Sequence, residues 1–202
     1  MRSAGTAQSQ RPCSSRVPKM TGAETWDAKS ALAGQALVPW QGPAWRYHRR
    51  SYAPTDASGS LLVSGRYHRA ADSFLASDTW PALYLALSPE IALGEVLRHF
   101  NPQLMPRLNQ YRLTELNVDL EAVLDCRDAA ALGLDAGALV QDYDFATTQA
   151  LAAAAIAIGA EALLVASATA LGDNLVLFAG RLHSSSRLTV VRSRNPRLYV
   201  RR

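Results

Sequence analysis

The sequence predicts a single α+β domain, a mixed α/β arrangement in which one twisted sheet carries flanking helices. Apolar segments of strand length recur along the chain, and helical patterns separate only some of them. No Gly-rich turn follows the first predicted strand, which argues against a Rossmann fold. With 202 residues and 49% hydrophobic content, the chain can build one core. We expect the domain over residues 38–193, after a poorly ordered tail at 1–37 and before an Arg-rich end at 194–202.

The first predicted elements are a short helical piece and two strands. The helical piece lies around Thr25–Leu37, and the strand Ala44–Tyr52 follows, in which aromatic residues and arginines partly alternate. After a turn at Pro54–Gly59, a second strand is expected over Leu61–His68. Further strands are predicted at Leu83–Leu87, Gln110–Leu120, Glu161–Ala166, Asn174–Ala179 and Arg187–Arg192, and helices at Pro89–Phe100, Asp125–Leu134 and Phe145–Gly159.

The stretch Ala82–Phe100 joins a buried strand to an amphipathic helix. The tripeptide Ser88-Pro89-Glu90 begins the helix, because serine caps it, proline suits its first position and glutamate complements its dipole. Glu95 lies four residues after Ile91 and therefore shares a helix face with apolar side chains. A partly buried carboxylate needs a cationic partner or a functional reason. Glu95 is therefore the first candidate for a functional residue.

The basic charge of the chain lies in its end segments. The net charge is +4, of which residues 1–40 carry +3 and residues 187–202 carry +6, so the stretch between them carries −5. Basic ends on an acidic body indicate solvated tails more readily than a nucleic-acid groove. The longest apolar run, Ala150–Ile158, is too short to span a bilayer, and residues 1–20 contain no apolar signal-peptide core. We expect a cytoplasmic protein without direct DNA or membrane binding.

Several familiar chemistries lack their sequence signatures. The four histidines and two cysteines are scattered, without the spacing of a metal or disulfide site, and neither a phosphate-binding loop nor a nucleophile elbow is present. The remaining candidates are polar residues within or at the ends of apolar elements. Each also has an ordinary structural interpretation, such as a surface ion pair, a buried tyrosine or a turn serine. These candidates are Arg46, Arg66, Tyr84, Glu95, Ser167 and Asn174.

In combination, four segments resemble the RES domain, a family named for an arginine, a glutamate and a serine. They lie within 44–180, and the central one has the sequence YLALSPEIALGEVL. Where the family usually has Gly-Gly-Arg-Trp-Asn, this chain has Ser-Gly-Arg-Tyr-His at Ser64–His68, and its segment 66–84 is longer than expected. The four segments are Trp45-Arg46, Gly65-Arg66, Tyr84–Leu97 and Gly159–Phe178.

The resemblance implies a fold similar to that of ADP-ribosyltransferases of the diphtheria-toxin kind. Many RES proteins are toxins that degrade NAD+ in bacterial toxin–antitoxin pairs. By this resemblance Arg66, Glu95 and Ser167 are catalytic, and NAD+ is a substrate that requires neither cofactor nor metal. The residues implied to bind substrate are Arg46 at the pyrophosphate, Tyr84 at the nicotinamide ring, and Asn174.

The same resemblance implies a protein partner and leaves alternatives open. The partner is an antitoxin, usually of the Xre helix-turn-helix type, and the assembly is a homo-oligomer or a hetero-oligomer with that antitoxin. NAD+ cleavage can use water or phosphate, as in a glycohydrolase or phosphorylase, or a protein acceptor, as in an ADP-ribosyltransferase. A further alternative is a noncatalytic nucleic-acid-binding protein that uses its basic ends, which predicts salt-dependent binding and no NAD+ loss.

Overall fold

The computed structural model describes residues 26–98 and 108–200. These residues form six strands and four helices, together with short 3-10 turns. None of the helices in these ranges is long and apolar enough to cross a membrane. The strands are β1 (Leu37–Arg49), β2 (Ala82–Ala86), β3 (Tyr111–Asp125), β4 (Ala162–Ala166), β5 (Asp173–Phe178) and β6 (Arg187–Arg194), and the helices are α1 (Ala28–Ala31), α2 (Pro89–Arg98), α3 (Ala146–Ala157) and α4 (Arg197–Val200).

The sheet closes on itself through its two long strands. Its order is β1-β2-β5-β4-β3-β6, and β1 also pairs with β3 over most of its length. Strands β1 and β2 complete the closed sheet through a single paired position, Trp45 opposite Ala86. All strand pairs are antiparallel except β3 with β4. The expected mixed sheet with flanking helices is therefore confirmed.

Apolar side chains fill both the inside of the closed sheet and its outer face. Buried residues from β1 to β5 meet inside the ring, among them Leu85, Leu116 and Leu175. On the outer face, α1 and α3 cover a second cluster that contains Val165 and Phe178. A third cluster packs α2 against the ends of β1, β2 and β3. Helix α2 is thus held over the edge of the sheet where strands from distant parts of the chain meet.

Two sequence-based boundaries in this part of the fold are wrong. Strand β1 begins at Leu37 instead of Ala44, because it pairs with β3 along nearly its whole length and absorbs Pro39 at a register shift. The strand expected over Leu61–His68 is absent from the described structure. A 3-10 turn at Ser58–Leu61 and a tight turn closed by Gly65 and His68 replace it.

The elements around Ala82–Phe100 agree more closely with expectation. Strand β2 and helix α2 lie where they were predicted, although the predicted helix end at 99–100 lies outside the described residues. Helix α3 ends at Ala157, and Gly159 follows with φ +93°, a left-handed conformation that glycine adopts at helix ends. The short helix expected at Asp125–Leu134 is reduced to a 3-10 turn, because β3 continues to Asp125 in parallel pairing with β4.

Residues near both ends of the described chain belong to the fold. Ala28 and Leu32 are buried against the outer core, and Trp26 Nε1 donates to Leu132 O at 2.8 Å. Part of the segment expected as a tail therefore belongs to the fold. Near the other end, Arg187–Arg194 form strand β6 along β3, which confirms the strand predicted at Arg187–Arg192.

Candidate functional site

A cavity of about 340 Å³ lies between α2 and the sheet. This volume is in the range of small-molecule sites. The cavity is lined by four residues that lie opposite one another on four neighbouring strands, namely Trp45, Ala86, Asn174 and Val165. Residues directly opposite in antiparallel strands point to the same face, so strand register creates this lining. The polar residues at the wall are few and include Arg66, Glu95 and Asn174.

Helix α2 begins as its sequence indicates. Ser88 Oγ accepts the backbone N–H of Ile91 at 3.2 Å, and the Ser88 carbonyl accepts the N–H of Ala92. Gly94 allows the helix to approach the β4–β5 turn, because a Cβ atom there would lie 3.2 Å from Thr169 Cγ2. The helix therefore passes close to this turn, and Glu95 projects between the turn and the cavity.

The Glu95 carboxylate is held by residues from β4 and β5. Ser167 Oγ donates to Glu95 Oε1 at 2.6 Å, and Asn174 Nδ2 donates to the same oxygen at 2.8 Å. The Glu95 side chain remains 26% exposed at the cavity wall. Two donors on Oε1 fix the carboxylate plane and leave Oε2 as the less committed oxygen.

Ser167 lies behind Glu95 and does not line the cavity. It is 3% exposed at the end of β4, within the turn that joins β4 to β5. Because its hydroxyl proton goes to Glu95, Thr169 Oγ1 must be the donor in the 2.7 Å contact with Ser167 Oγ. Ser167 is therefore placed to position Glu95.

Asn174 combines a donor that holds Glu95 with a buried acceptor that no described residue satisfies. Its Nδ2 is used by Glu95, whereas its Oδ1 is buried and accepts no hydrogen bond within the described part of the chain. A buried acceptor without a partner is costly unless a ligand or water supplies a donor. In the described structure, Oδ1 has no contact with solvent and stays an unsatisfied acceptor beside the cavity wall, while Asn174 itself holds Glu95.

Arg66 reaches the cavity from the tight turn at 65–68. Its Nε donates to Gln141 O at 3.1 Å, and its Nη2 contacts Asp142 Oδ1 at 2.6 Å. Nη1 has no hydrogen bond to any residue in ranges 26–98 and 108–200. The guanidinium is positioned by the loop at 140–142 and keeps donor capacity toward a ligand.

Tyr84 presents its ring to the cavity and turns its hydroxyl inward. The residue is 38% exposed, and the hydroxyl contacts His68 Nδ1 at 2.9 Å and accepts the N–H of Tyr67 at 3.0 Å. His68 Nε2 lies 2.9 Å from the Val63 carbonyl, so Nε2 carries the imidazole proton and Tyr84 donates to Nδ1. Burial raises the pKa of the Tyr84 hydroxyl, which keeps it protonated.

Arg46 is the candidate that the structure does not bring to the cavity. Strand alternation directs it to the face opposite Trp45 and Tyr47, which do line the cavity. Its guanidinium donates to the carbonyls of Pro54 and Asp56, both at 2.7 Å. Arg46 therefore stabilises the loop after β1.

The chain resembles a known protein family and a solved structure. The family model of the RES domain matches residues 43–199. The chain belongs to the RES domain family. A search of the curated proteins gives no match. Among solved structures, a chain of the crystal structure of the M. tuberculosis MbcT-MbcA toxin-antitoxin complex has a TM-score of 0.72 at 24% identity, covering 86% of this chain and 94% of that chain. At this identity the likeness concerns the fold.

This RES domain contains site residues that the sequence interpretation missed. Arg98 Nη1 lies 3.8 Å from Glu95 Oε2, and Arg98 Nη2 lies 2.5 Å from Asp142 Oδ2. The signal for Arg98 was its spacing, three residues after Glu95 on the same helix. Asp142 had no local signal, because it reaches the site only through the fold.

The arrangement in this RES domain suits stabilisation of positive charge. One oriented carboxylate faces a cavity with aromatic walls, and arginines flank it. Within the described residues, no three His, Cys, Asp or Glu side chains are grouped so that they could hold a metal ion. A carboxylate held in this way can stabilise a cationic centre that develops at a bound ligand.

Proposed function

We propose that this protein is the toxin of a toxin–antitoxin pair and degrades NAD+ by cleaving its nicotinamide–ribose bond. The observation that carries the proposal is the Glu95 carboxylate, held by Ser167 and Asn174 at the wall of a cavity that also contains Arg66 and the Tyr84 ring. Membership of the RES family and the likeness to a chain of a toxin–antitoxin complex support the same assignment.

The proposed reaction separates nicotinamide from the ribose C1′ carbon. The C–N bond breaks with its electron pair going to the ring nitrogen, so nicotinamide leaves as a neutral molecule and C1′ acquires oxocarbenium character. Glu95 stabilises this positive charge, and Ser167 and Asn174 keep its carboxylate in place. Water or phosphate then forms the new C1′–O bond on the ADP-ribose product, and the acceptor releases its proton to solvent.

The proposed binding roles follow the placement of the side chains. The Tyr84 ring stacks on nicotinamide, and Asn174 lies at the same wall, where it holds Glu95 toward the substrate. Arg66 binds a phosphate oxygen by a charge-assisted hydrogen bond. Arg46 is left out of the proposed binding site, since it does not line the cavity and its Nη1 and Nη2 donate to backbone carbonyls.

The test is incubation of the purified protein with NAD+, with and without phosphate, followed by measurement of released nicotinamide. We expect Glu95→Gln to lower kcat by about a hundredfold or more, because it removes the charge opposite the oxocarbenium ion. Arg66→Ala should mainly raise KM. The matched control is Glu90→Gln, which changes an exposed glutamate in the first turn of the same helix. Undiminished turnover in the Glu95 and Arg66 variants would contradict the proposed site.

The fate of labelled ADP-ribose separates the proposal from its near alternative. Free ADP-ribose identifies a glycohydrolase, and a phosphorylated form that requires phosphate identifies a phosphorylase. Label on protein would instead identify an ADP-ribosyltransferase. If the protein consumes no NAD+, all three activities are ruled out.

A protein that consumes NAD+ in the cell that makes it requires restraint. We therefore include in the proposal an antitoxin, of the Xre helix-turn-helix type, that covers the cavity entrance in the cytoplasm. The toxin–antitoxin complex among the similar solved structures supports such a partner. Direct DNA binding by this chain is not part of the proposal.

A further inference from the structure

One carboxylate bridges the two arginines beside Glu95. Asp142 Oδ1 lies 2.6 Å from Arg66 Nη2, and Asp142 Oδ2 lies 2.5 Å from Arg98 Nη2. The two oxygens of one anion thus contact two cations that come from different elements, the turn at 65–68 and the end of α2. With Glu95 Oε2 at 3.8 Å from Arg98 Nη1, two carboxylates balance the two guanidinium groups, and the cluster becomes positive only when Asp142 moves away.

Asp142 is attached in a way that permits its displacement. The Asp142 side chain is 44% exposed, and those of Arg66 and Arg98 are 17% and 30% exposed, so solvent weakens both ion pairs from the Asp142 side. Arg66 is anchored independently, because it also donates to the carbonyls of Val140 and Gln141. Removing the carboxylate therefore breaks two exposed ion pairs without removing the backbone contacts that position Arg66.

The contacts of Asp142 resemble those of a bound phosphate. Each of its oxygens accepts from a different guanidinium, as two oxygens of a phosphate or diphosphate group would. A carboxylate carries one negative charge, whereas the diphosphate bridge of a dinucleotide carries two. Two arginines therefore favour the diphosphate over Asp142 once the ligand is at the site.

We propose that Arg66 and Arg98 form a diphosphate-binding site at the rim of the cavity, and that Asp142 occupies this site in the free protein as an internal competitor. The proposal rests on the proposed function for the nature of the ligand. It places the second phosphate-binding arginine on α2, three residues from Glu95, instead of on β1. Asp142 then weakens the binding of diphosphate ligands specifically, because a ligand without phosphate leaves its two ion pairs in place.

The test measures binding of ADP and of adenosine by calorimetry at low ionic strength, so that it does not depend on turnover. We expect Asp142→Asn to tighten ADP binding by about three- to tenfold, because it removes the competing charge. Arg98→Gln should weaken ADP binding by about tenfold. Adenosine binding should be unchanged in both variants. Thermal melts of the free variants verify that they are folded.

The matched controls change the same charges elsewhere. Asp135→Asn alters an exposed aspartate on the same β3–α3 connection, and Arg181→Gln alters an exposed arginine after β5. Both should leave ADP binding unchanged. Equal ADP affinity of the Asp142→Asn variant and the wild type would overturn the proposal. An equal gain for adenosine would also overturn it, because the effect would then not depend on phosphate charge.

The same measurements separate this proposal from the proposed function. If wild-type protein releases nicotinamide but Asp142→Asn does not tighten ADP binding, the proposed role of Asp142 as a competitor is wrong and the proposed NAD+ reaction stands. If Asp142→Asn tightens ADP binding and no NAD+ is consumed, the diphosphate site stands and the reaction is wrong.

Discussion

Tyr84 and His68 show how one hydrogen bond sets the direction of a side chain at the site. The Tyr84 hydroxyl donates to His68 Nδ1, so the proton of this phenol is not available to a ligand. The ring therefore contributes a flat apolar face, which suits an aromatic ligand group. His68 itself is buried, and the absence of a Cβ at Gly65 makes room for it, since such an atom would lie 2.4 Å from His68 Cε1.

We expect substitutions of Tyr84 and His68 to have coupled effects on substrate binding, because the two residues share one hydrogen bond. His68→Phe and Tyr84→Phe should each raise KM for NAD+ by about three- to tenfold, because each removes the same hydrogen bond and loosens the ring. The double variant should resemble either single variant. The measurement is a double-mutant cycle on kcat and KM, in which kcat should change less than KM. Additive effects would show that His68 does not act through Tyr84.

At the scale of elements, the approach of α2 to the β4–β5 turn determines where Glu95 lies. The turn contains Ala170 at φ +57° and Gly172 at φ +146°, and Ser167 N donates to Gly172 O at 2.8 Å. This closed turn presents Ser167 to the helix. Gly94 packs closely against this turn, with Thr169 and Leu171 within 3.3 Å of its would-be Cβ atom.

Substitution at Gly94 should therefore separate the helix from the turn. We expect Gly94→Val to lower kcat by about tenfold or more, because a small displacement of Glu95 weakens its bond to Ser167. The cost in unfolding free energy from overpacking should be about 1–3 kcal/mol. NAD+ turnover and urea denaturation measure the two effects.

The control for this change is Gly137→Val, because no atom lies within 4 Å of a Cβ atom built at Gly137. That variant should keep the wild-type kcat. Wild-type turnover in a folded Gly94→Val protein would contradict the view that the distance between helix and turn positions Glu95.

At the scale of the whole molecule, folding buries two histidines, His48 and His68, whose protonation makes the stability depend on pH. His48 lies between β1 and β3, where its Nε2 contacts Thr114 Oγ1 at 2.8 Å. Burial lowers the pKa of His48 and of His68 below the ordinary value of 6.5. The folded protein thus keeps both imidazoles neutral at pH values where the unfolded chain begins to protonate them.

The free energy of unfolding should consequently fall as the pH drops below about 6.5. The unfolded chain binds more protons than the folded protein from there down to the lowered pKa values of the two histidines. Urea denaturation at pH 7.5 and 5.5 measures this difference. His48→Gln should flatten the pH dependence, whereas His183→Gln, at an exposed histidine, should preserve it. The same slope in both variants would contradict the assignment to buried histidines.

The sequence by itself determined the elements whose signals are local. Ser88 and Pro89 start α2, Gly159 ends α3, and the spacing of apolar residues placed Glu95 on the inner face of its helix. These features depend on neighbours within one or two turns of the chain, so propensity and periodicity suffice to predict them. The family resemblance rested on such local segments and is confirmed.

Only the tertiary structure decided which residues meet. Glu95 contacts Ser167 and Asn174 across 72 and 79 positions of the chain, and these contacts exist because β4 and β5 pair beside α2. Strand alternation likewise turned Arg46 away from the cavity, and the packing of α2 beside the β3–α3 connection brought Arg98 and Asp142 together. Strand pairing is non-local, and a shift of one residue reverses the face of every side chain. No pattern within a single segment carries that information.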